Sequence, residues 1–237
     1  MAVRLGSPRV HLRRLDSTNI VARELAVGGA PHGTVVTATE QLAGRGRQGR
    51  AWTARPGGSL ICSWVIREPS PLLSLAAGVA VAQVCGADAK IKWPNDVLID
   101  GRKVAGILVE GRPQEQWAVL GVGINVALRS QDFPEELRER AGSLGLSEAE
   151  LEPTLLRLAS ALEHWLDVPG ADVLAAVRTR DALLDQTVSW AQGVGIAAGI
   201  DAGGRLIVSL ADGSEVRLDA GEVHLGAFSG TATSSDS

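Results

Sequence analysis

The stretch GRGRQGRAWTARPGGS (Gly44–Ser59) spaces its glycines as G-x-G-x-x-G at Gly44, Gly46 and Gly49, the pattern of a dinucleotide-binding turn. That turn works only when a helix follows at once, because the helix N-terminus holds the pyrophosphate. Here AWTARPGGS follows, with Pro56, Gly57 and Gly58 and no apolar stripe of helical period. The dinucleotide reading therefore fails on context. A P-loop fails as well: there is no G-K-[ST], and none of the lysines (Lys90, Lys92, Lys103) lies nearby. What remains is a glycine- and arginine-rich loop between two strands. Arg45, Arg47 and Arg50 offer forked donors to phosphate or carboxylate. The glycines let backbone come close to a ligand, and Trp52 adds a flat face. Ordering such a loop costs entropy, so it is expected to be mobile until an anion neutralises its arginines.

The flanking segments set the fold class. DSTNIVARELAV (16–27) reads as a helix start, with Ser17, Thr18 and Asn19 all good N-cap types. GTVVTATE (33–40) and SLICSWVI (59–66) read as strands, the second apolar on both faces and so central. PLLSLAAGVAVAQVCG (71–86) reads as a buried helix with proline near its start. IKWPNDVLIDGRKVAGILVEG (91–111) reads as two strands joined at Asp100-Gly101, and QWAVLGVGINVAL (116–128) as a third. Residues 147–167 predict an amphipathic helix opened by a Ser147/Glu150 capping box, and 170–184 a further helix. After Gln186 short alternating strands between Gly-rich turns suggest a small barrel, SH3-like or OB-like. The expected class is α+β: a mixed, mostly antiparallel sheet with flanking helices over 1–185, a small β-domain over 186–228, and a polar, disordered tail over 229–237.

Apolar residues make up 45% of the 237-residue chain, which supports a full core, and the net charge of −4 argues against general nucleic-acid binding. Residues 1–60 nevertheless hold nine arginines against three acids, a local excess suited to a small anion. Cys62 and Cys85 sit in apolar runs and read as buried free thiols in a reducing compartment. The scattered histidines give no zinc spacing. No signal-peptide pattern and no apolar window of membrane-spanning length are present, so a cytoplasmic protein is expected. Arginine outnumbers lysine 20 to 3, which points to the lysines as places where a compact ammonium is wanted.

Three further stretches interrupt apolar strands with polar residues. In KWPND (92–96) Pro94 breaks the ladder and frees Asn95 and Asp96 to face a pocket. Lys103 heads KVAGILVE (103–110), and Asn125 ends GVGIN (121–125). Together with STN (17–19) and EQLAGRGRQGRAW (40–52), these segments resemble the biotin protein ligase, or biotin–[acetyl-CoA-carboxylase] ligase, family in order and approximate spacing over about residues 10–228.

The resemblance implies a class II synthetase-like catalytic domain with an SH3-like C-terminal domain. It implies an enzyme that makes biotinyl-5′-AMP from biotin and ATP with Mg²⁺ and passes biotin to one lysine of a biotin carboxyl carrier domain. Lys103 and Arg47 would be catalytic. Ser17, Thr18, Asn19, Gln41, Gly44, Arg45, Gly46, Arg47 and Lys103 would bind biotin; Arg47, Arg50, Trp52, Asn95, Lys103 and Asn125 would bind ATP. No residue is expected to hold a metal directly. Asp96 would be structural, or orient Lys103 or the attacking lysine. About fifteen residues precede STN, too few for the helix-turn-helix of the family's repressors, so a monofunctional ligase without DNA or membrane partner is expected; a homodimer is allowed. Lipoate or octanoate ligases share the fold and are the nearest competing reading, followed by a binding module without catalysis.

Overall fold

The computed structural model describes residues 5–219 and 223–226. The strands are β1 (Arg9–Leu15), β2 (Val35–Gln41), β3 (Ser59–Arg67), β4 (Lys90–Lys92), β5 (Asp96–Ile99), β6 (Arg102–Arg112) and β7 (Trp117–Asn125), followed by β8 (Thr187–Trp190), β9 (Gly193–Ile200), β10 (Leu206–Ser209), β11 (Glu215–Leu218) and β12 (His224–Leu225). The α-helices are α1 (Thr18–Val27), α2 (Leu73–Cys85), α3 (Leu151–Asp167) and α4 (Gly170–Thr179). Strands β1 to β7 form one sheet in the order β1-β2-β3-β7-β6-β5-β4. Every neighbouring pair is antiparallel except β1 with β2. The α+β class is as the sequence implied.

Alternation along β7 explains how the sheet is covered. Ala118, Leu120, Val122 and Ile124 join one large core with α2, α3 and α4. On the other face, Trp117 and Val119 lie under α1 with Ala22, Ala26, Val36 and Val65. The next two residues on that face are Gly121 and Gly123. There the side-chain cover stops and a floor of bare backbone begins.

Several expectations are corrected. Strand β1, RVHLRRL, was not foreseen: it is an exposed edge strand whose arginines hide the alternation. The strand expected from residue 91 is two strands, because the chain reverses at Trp93-Pro94-Asn95 and β4 pairs antiparallel with β5. The Asp100-Gly101 turn is as read, with φ of 50° and 73°, values suited to a type I′ hairpin. Ser147 makes no capping hydrogen bond; Glu148 instead pairs with Arg55 and Glu150 with Arg157. A 3₁₀ turn (Glu148–Glu150) therefore precedes α3. Helix α4 ends at Thr179, before the Asp181 turn in which Asp181 Oδ1 accepts from Leu183 N.

Strands β8 to β12 form a second sheet in the order β11-β10-β9-β8-β12. Its end strands β11 and β12 are not paired with each other among the described residues, so a closed barrel is not what this sheet displays. The tail expected over 229–237 lies outside the described residues. Among those described, no helix is long and apolar enough to cross a membrane.

Candidate active site

A cavity of about 510 Å³ opens over the bare stretch of the large sheet, a volume suited to a small-molecule ligand. The sequence-predicted residues Ser17, Thr18, Asn19, Gln41, Arg45, Gly46, Arg47, Arg50, Trp52, Asn95, Lys103 and Asn125 all line it. Gly44 does not: a Cβ there would collide with the Trp52 carbonyl oxygen, so this glycine serves the loop's own packing.

One end of the cavity is a hydrogen-bonded corner. Ser17, Thr18 and Asn19 are buried where α1 begins; Ser17 occupies the N-cap position without a side-chain capping bond. Gln41 Oε1 accepts from Thr18 N at 2.7 Å and from Thr18 Oγ1 at 3.0 Å. The Ser63 hydroxyl lies 2.6 Å from Asn19 Oδ1 and 2.8 Å from Thr18 Oγ1. Asn19 Nδ2 donates to Glu110 at 2.8 Å, and the other Glu110 oxygen pairs with Arg45 at 3.2 Å. Sequence reasoning missed Glu110 and Ser63. A single acid near the end of an apolar strand was the available signal for the first; Ser63 gave none. Gly121 is needed here because a Cβ would collide with Asn19 Oδ1.

The glycine–arginine loop is a small hairpin. Arg45 bridges Ala51, Gly46 N donates to Arg50 O, and Trp52 N donates to Gly44 O. Its tip turns through Gln48 and Gly49 at positive φ of 54° and 75°. No helix follows, as the context of the glycines implied. Arg47 Nη1 reaches Asn95 Oδ1 at 3.2 Å, while Asn95 Nδ2 and backbone oxygen both bond to Ile107. The loop tip is thus joined to the reversal between β4 and β5. Trp52 lies on the floor made by the paired Gly106 and Gly123; a Cβ on Gly123 would stand 2.6 Å from its indole. The indole Nε1 is buried with no hydrogen-bond partner among the described residues.

Lys103 owes its direction to a bulge. Asp96 pairs with Gly106 but Leu98 with Lys103, so β6 carries one extra residue at Val104. Without it, Lys103 would alternate to the face opposite Gly106. With it, Lys103 Nζ sits 2.6 Å from Asp96 Oδ1 and 5.7 Å from the centroid of the Trp52 ring. The Asp96 contact is ionic rather than an aligned hydrogen bond. Asn125 is held from both ends, accepting from Ser59 Oγ and donating to Gly142 O. Beyond the predicted set, Phe133, Leu137, Arg140 and Ala141 form another wall, and His224 and Leu225 bring β12 to the same cavity. Among the described residues no group of three or more His, Cys, Asp or Glu is placed to hold a metal.

Residues 11–126 match the model of the biotin/lipoate A/B protein ligase family, and residues 183–226 that of the biotin protein ligase C-terminal domain. The chain is 40% identical over 158 residues to the bifunctional ligase/repressor BirA of Bacillus subtilis, and spans about half (49%) of that protein's length. It is 36% identical to the biotin–[acetyl-CoA-carboxylase] ligase of Paracoccus denitrificans, covering 91% of this chain and 99% of that one. The corresponding Mycobacterium tuberculosis ligase is also 36% identical, covering 87% and 85%. The biotin protein ligase of Aquifex aeolicus, solved in complex with biotin and ATP, superposes with a TM-score of 0.76 at 26% identity, covering 93% of this chain and 99% of that one. With both family models matched and relatives at 36% identity covering most of this chain and of their own length, the chain belongs to the biotin protein ligase family.

Proposed function

We propose that the protein is an ATP-dependent ligase that forms biotinyl-5′-AMP and transfers biotin to a lysine of a biotin carboxyl carrier domain, that of acetyl-CoA carboxylase. The observation that carries this reading is the convergence on one cavity of a polar corner (Ser17, Thr18, Gln41) and six cationic side chains, among them Arg45, Arg47, Arg50 and Lys103. The corner supplies the donors and acceptors that a cyclic urea needs. The cations answer the chemistry: a carboxylate oxygen attacks the α-phosphorus, the bond to pyrophosphate breaks, and two anions must first be brought together. Lys103, a compact ammonium, suits a place between carboxylate and α-phosphate oxygens. In the second step the carrier lysine's amine attacks the acyl carbon and AMP leaves. Asp96 beside Lys103 supports a role in holding that ammonium.

Arg47, Arg50 and Trp52 would cover the nucleotide side. Asn95 and Asn125 act there through structure, since their amides hold the loop tip and the 129–142 wall. Asp96 is the one carboxylate among the described cavity-lining residues, so Mg²⁺ would fit this pocket as an ion carried on the triphosphate, where it would shield phosphate charge. The site needs no membrane, and a cytoplasmic setting suits the two unpaired cysteines.

ATP–pyrophosphate exchange by the purified protein, run with biotin, lipoate or octanoate, tests the reading. Exchange with biotin alone is expected. Exchange with lipoate or octanoate instead would keep the chemistry and overturn the substrate; no exchange with any would overturn the adenylation itself.

A further inference from the structure

Arg55 stands three residues beyond Trp52 and touches no part of the cavity, yet its guanidinium joins the two chain segments that wall it. Nε lies 3.2 Å from Asp132 Oδ2, Nη1 2.6 Å from Glu148 Oε1, and Nη2 donates to Ala127 O at 3.0 Å. Nη1 also donates to Pro56 O at 3.2 Å. Four of the five donors of the fork are thereby engaged. On its own side, Arg55 belongs to a turn fixed by Gly58 N to Arg55 O and by Gly57 N to Thr39 O. On the other side, the same Asp132 oxygen accepts from Arg129 N at 2.8 Å. Asp132 directly precedes Phe133, which is buried and lines the cavity, and Leu137 and Arg140 follow in the same segment. The Asp132 side chain is 18% exposed and that of Arg55 36%, so the contact lies at the surface and its use is the geometry of the fork rather than a large charge–charge energy.

We propose that Arg55 is a positioning residue that couples the two ligand subsites: by bridging Asp132, Glu148 and Ala127, it makes ordering of the glycine–arginine loop lower the cost of ordering the 129–142 wall. A ligand held by the loop then strengthens binding of the ligand that needs the wall, and the reverse holds by linkage. The proposal rests on the adenylation reading, since it takes biotin and ATP as the two ligands.

The test is the dissociation constant of α,β-methylene-ATP measured calorimetrically with and without saturating biotin. In the wild type biotin is expected to tighten the analogue by about tenfold, a common size for such coupling. In Arg55→Ala that ratio should fall towards one, with biotin's own affinity retained. Arg55→Lys, which keeps the charge but loses the fork, should recover only part of it. Asp132→Asn should reproduce the loss with Arg55 in place, and adding Arg55→Ala should change little more. If Arg55→Ala does not fold, Asp132→Asn decides. An unchanged ratio in a folded variant makes the clamp merely structural and overturns the proposal, as does a wild type that binds both ligands without coupling. A wild type that binds neither biotin nor the analogue overturns the adenylation reading, and the coupling with it.

Discussion

Lys103 has the narrowest set of alternatives. Its ammonium is held between the Asp96 carboxylate and the Trp52 ring, and an alanine would leave Asp96 facing the phosphates with its charge uncompensated. Lys103→Ala is expected to slow biotin-dependent ATP–pyrophosphate exchange by about 10²- to 10³-fold, the usual loss for one preorganised stabilising group. An unchanged exchange rate would remove Lys103 from the chemistry. Gly123 has a different kind of importance, since nothing but the lack of a Cβ lets the Trp52 indole lie where it does. Gly123→Ala overpacks the site by about 1–3 kcal/mol. Because Trp52 sits on a loop that can yield, the cost should appear as about a ten- to hundredfold rise in the KM for ATP rather than as a lower melting temperature. A normal KM with a markedly lower melting temperature would mean that the indole position matters only to the fold.

The hairpin of residues 44–52 and the bulge on β6 divide what was legible in the sequence from what was not. The hairpin was legible as a glycine- and arginine-rich loop between two strands, and the STN, KWPND, KVAGILVE and GVGIN segments, rather than its composition alone, marked it as part of a site. Its expected work as a lid has a direct test. Arg47→Gly, which loses the bond to Asn95, should release the acyl-adenylate and biotinylate bystander proteins faster than the wild type in a labelling blot. Equal labelling would refute the lid. The bulge at Val104 left no mark in the sequence, since KVAGILVE reads as a regular strand, yet it alone turns Lys103 towards Asp96. The same limit explains the missed Glu110 and Ser63: each acts through partners far along the chain, Asn19 and Arg45 for one and the α1 start for the other. Helix ends were misread where a long-range ion pair won over a local cap, as at Ser147, whose neighbour Glu148 goes to Arg55. Long apolar elements such as β3 and α2 were readable because their burial does not depend on one partner.

Across the molecule as a whole, very few groups titrate just above neutral pH: the chain has no tyrosine, three lysines and two cysteines. Burial pushes the Cys85 thiol up to about 12, against a weaker opposing effect of Arg180, and pushes Cys62 up as well. A thiol whose pKa is raised on folding stabilises the native state fully below the unfolded value of 9.0 and progressively loses that contribution above it. The denaturation midpoint should therefore fall as pH rises from 9 towards 11, and much less in a Cys62→Ala/Cys85→Ala double variant. Equal slopes in the two proteins would assign the alkaline loss elsewhere. The last consequence follows from β12, whose His224 and Leu225 close the cavity that residues from Ser17 onward begin. On the ribosome, the hairpin, Lys103 and the 129–142 wall are all synthesised well before these two residues. A growing chain therefore cannot complete its pocket until the final described strand has emerged and docked. Synthesis halted before that strand would leave a stub whose cavity lacks the two lining residues that β12 brings to it.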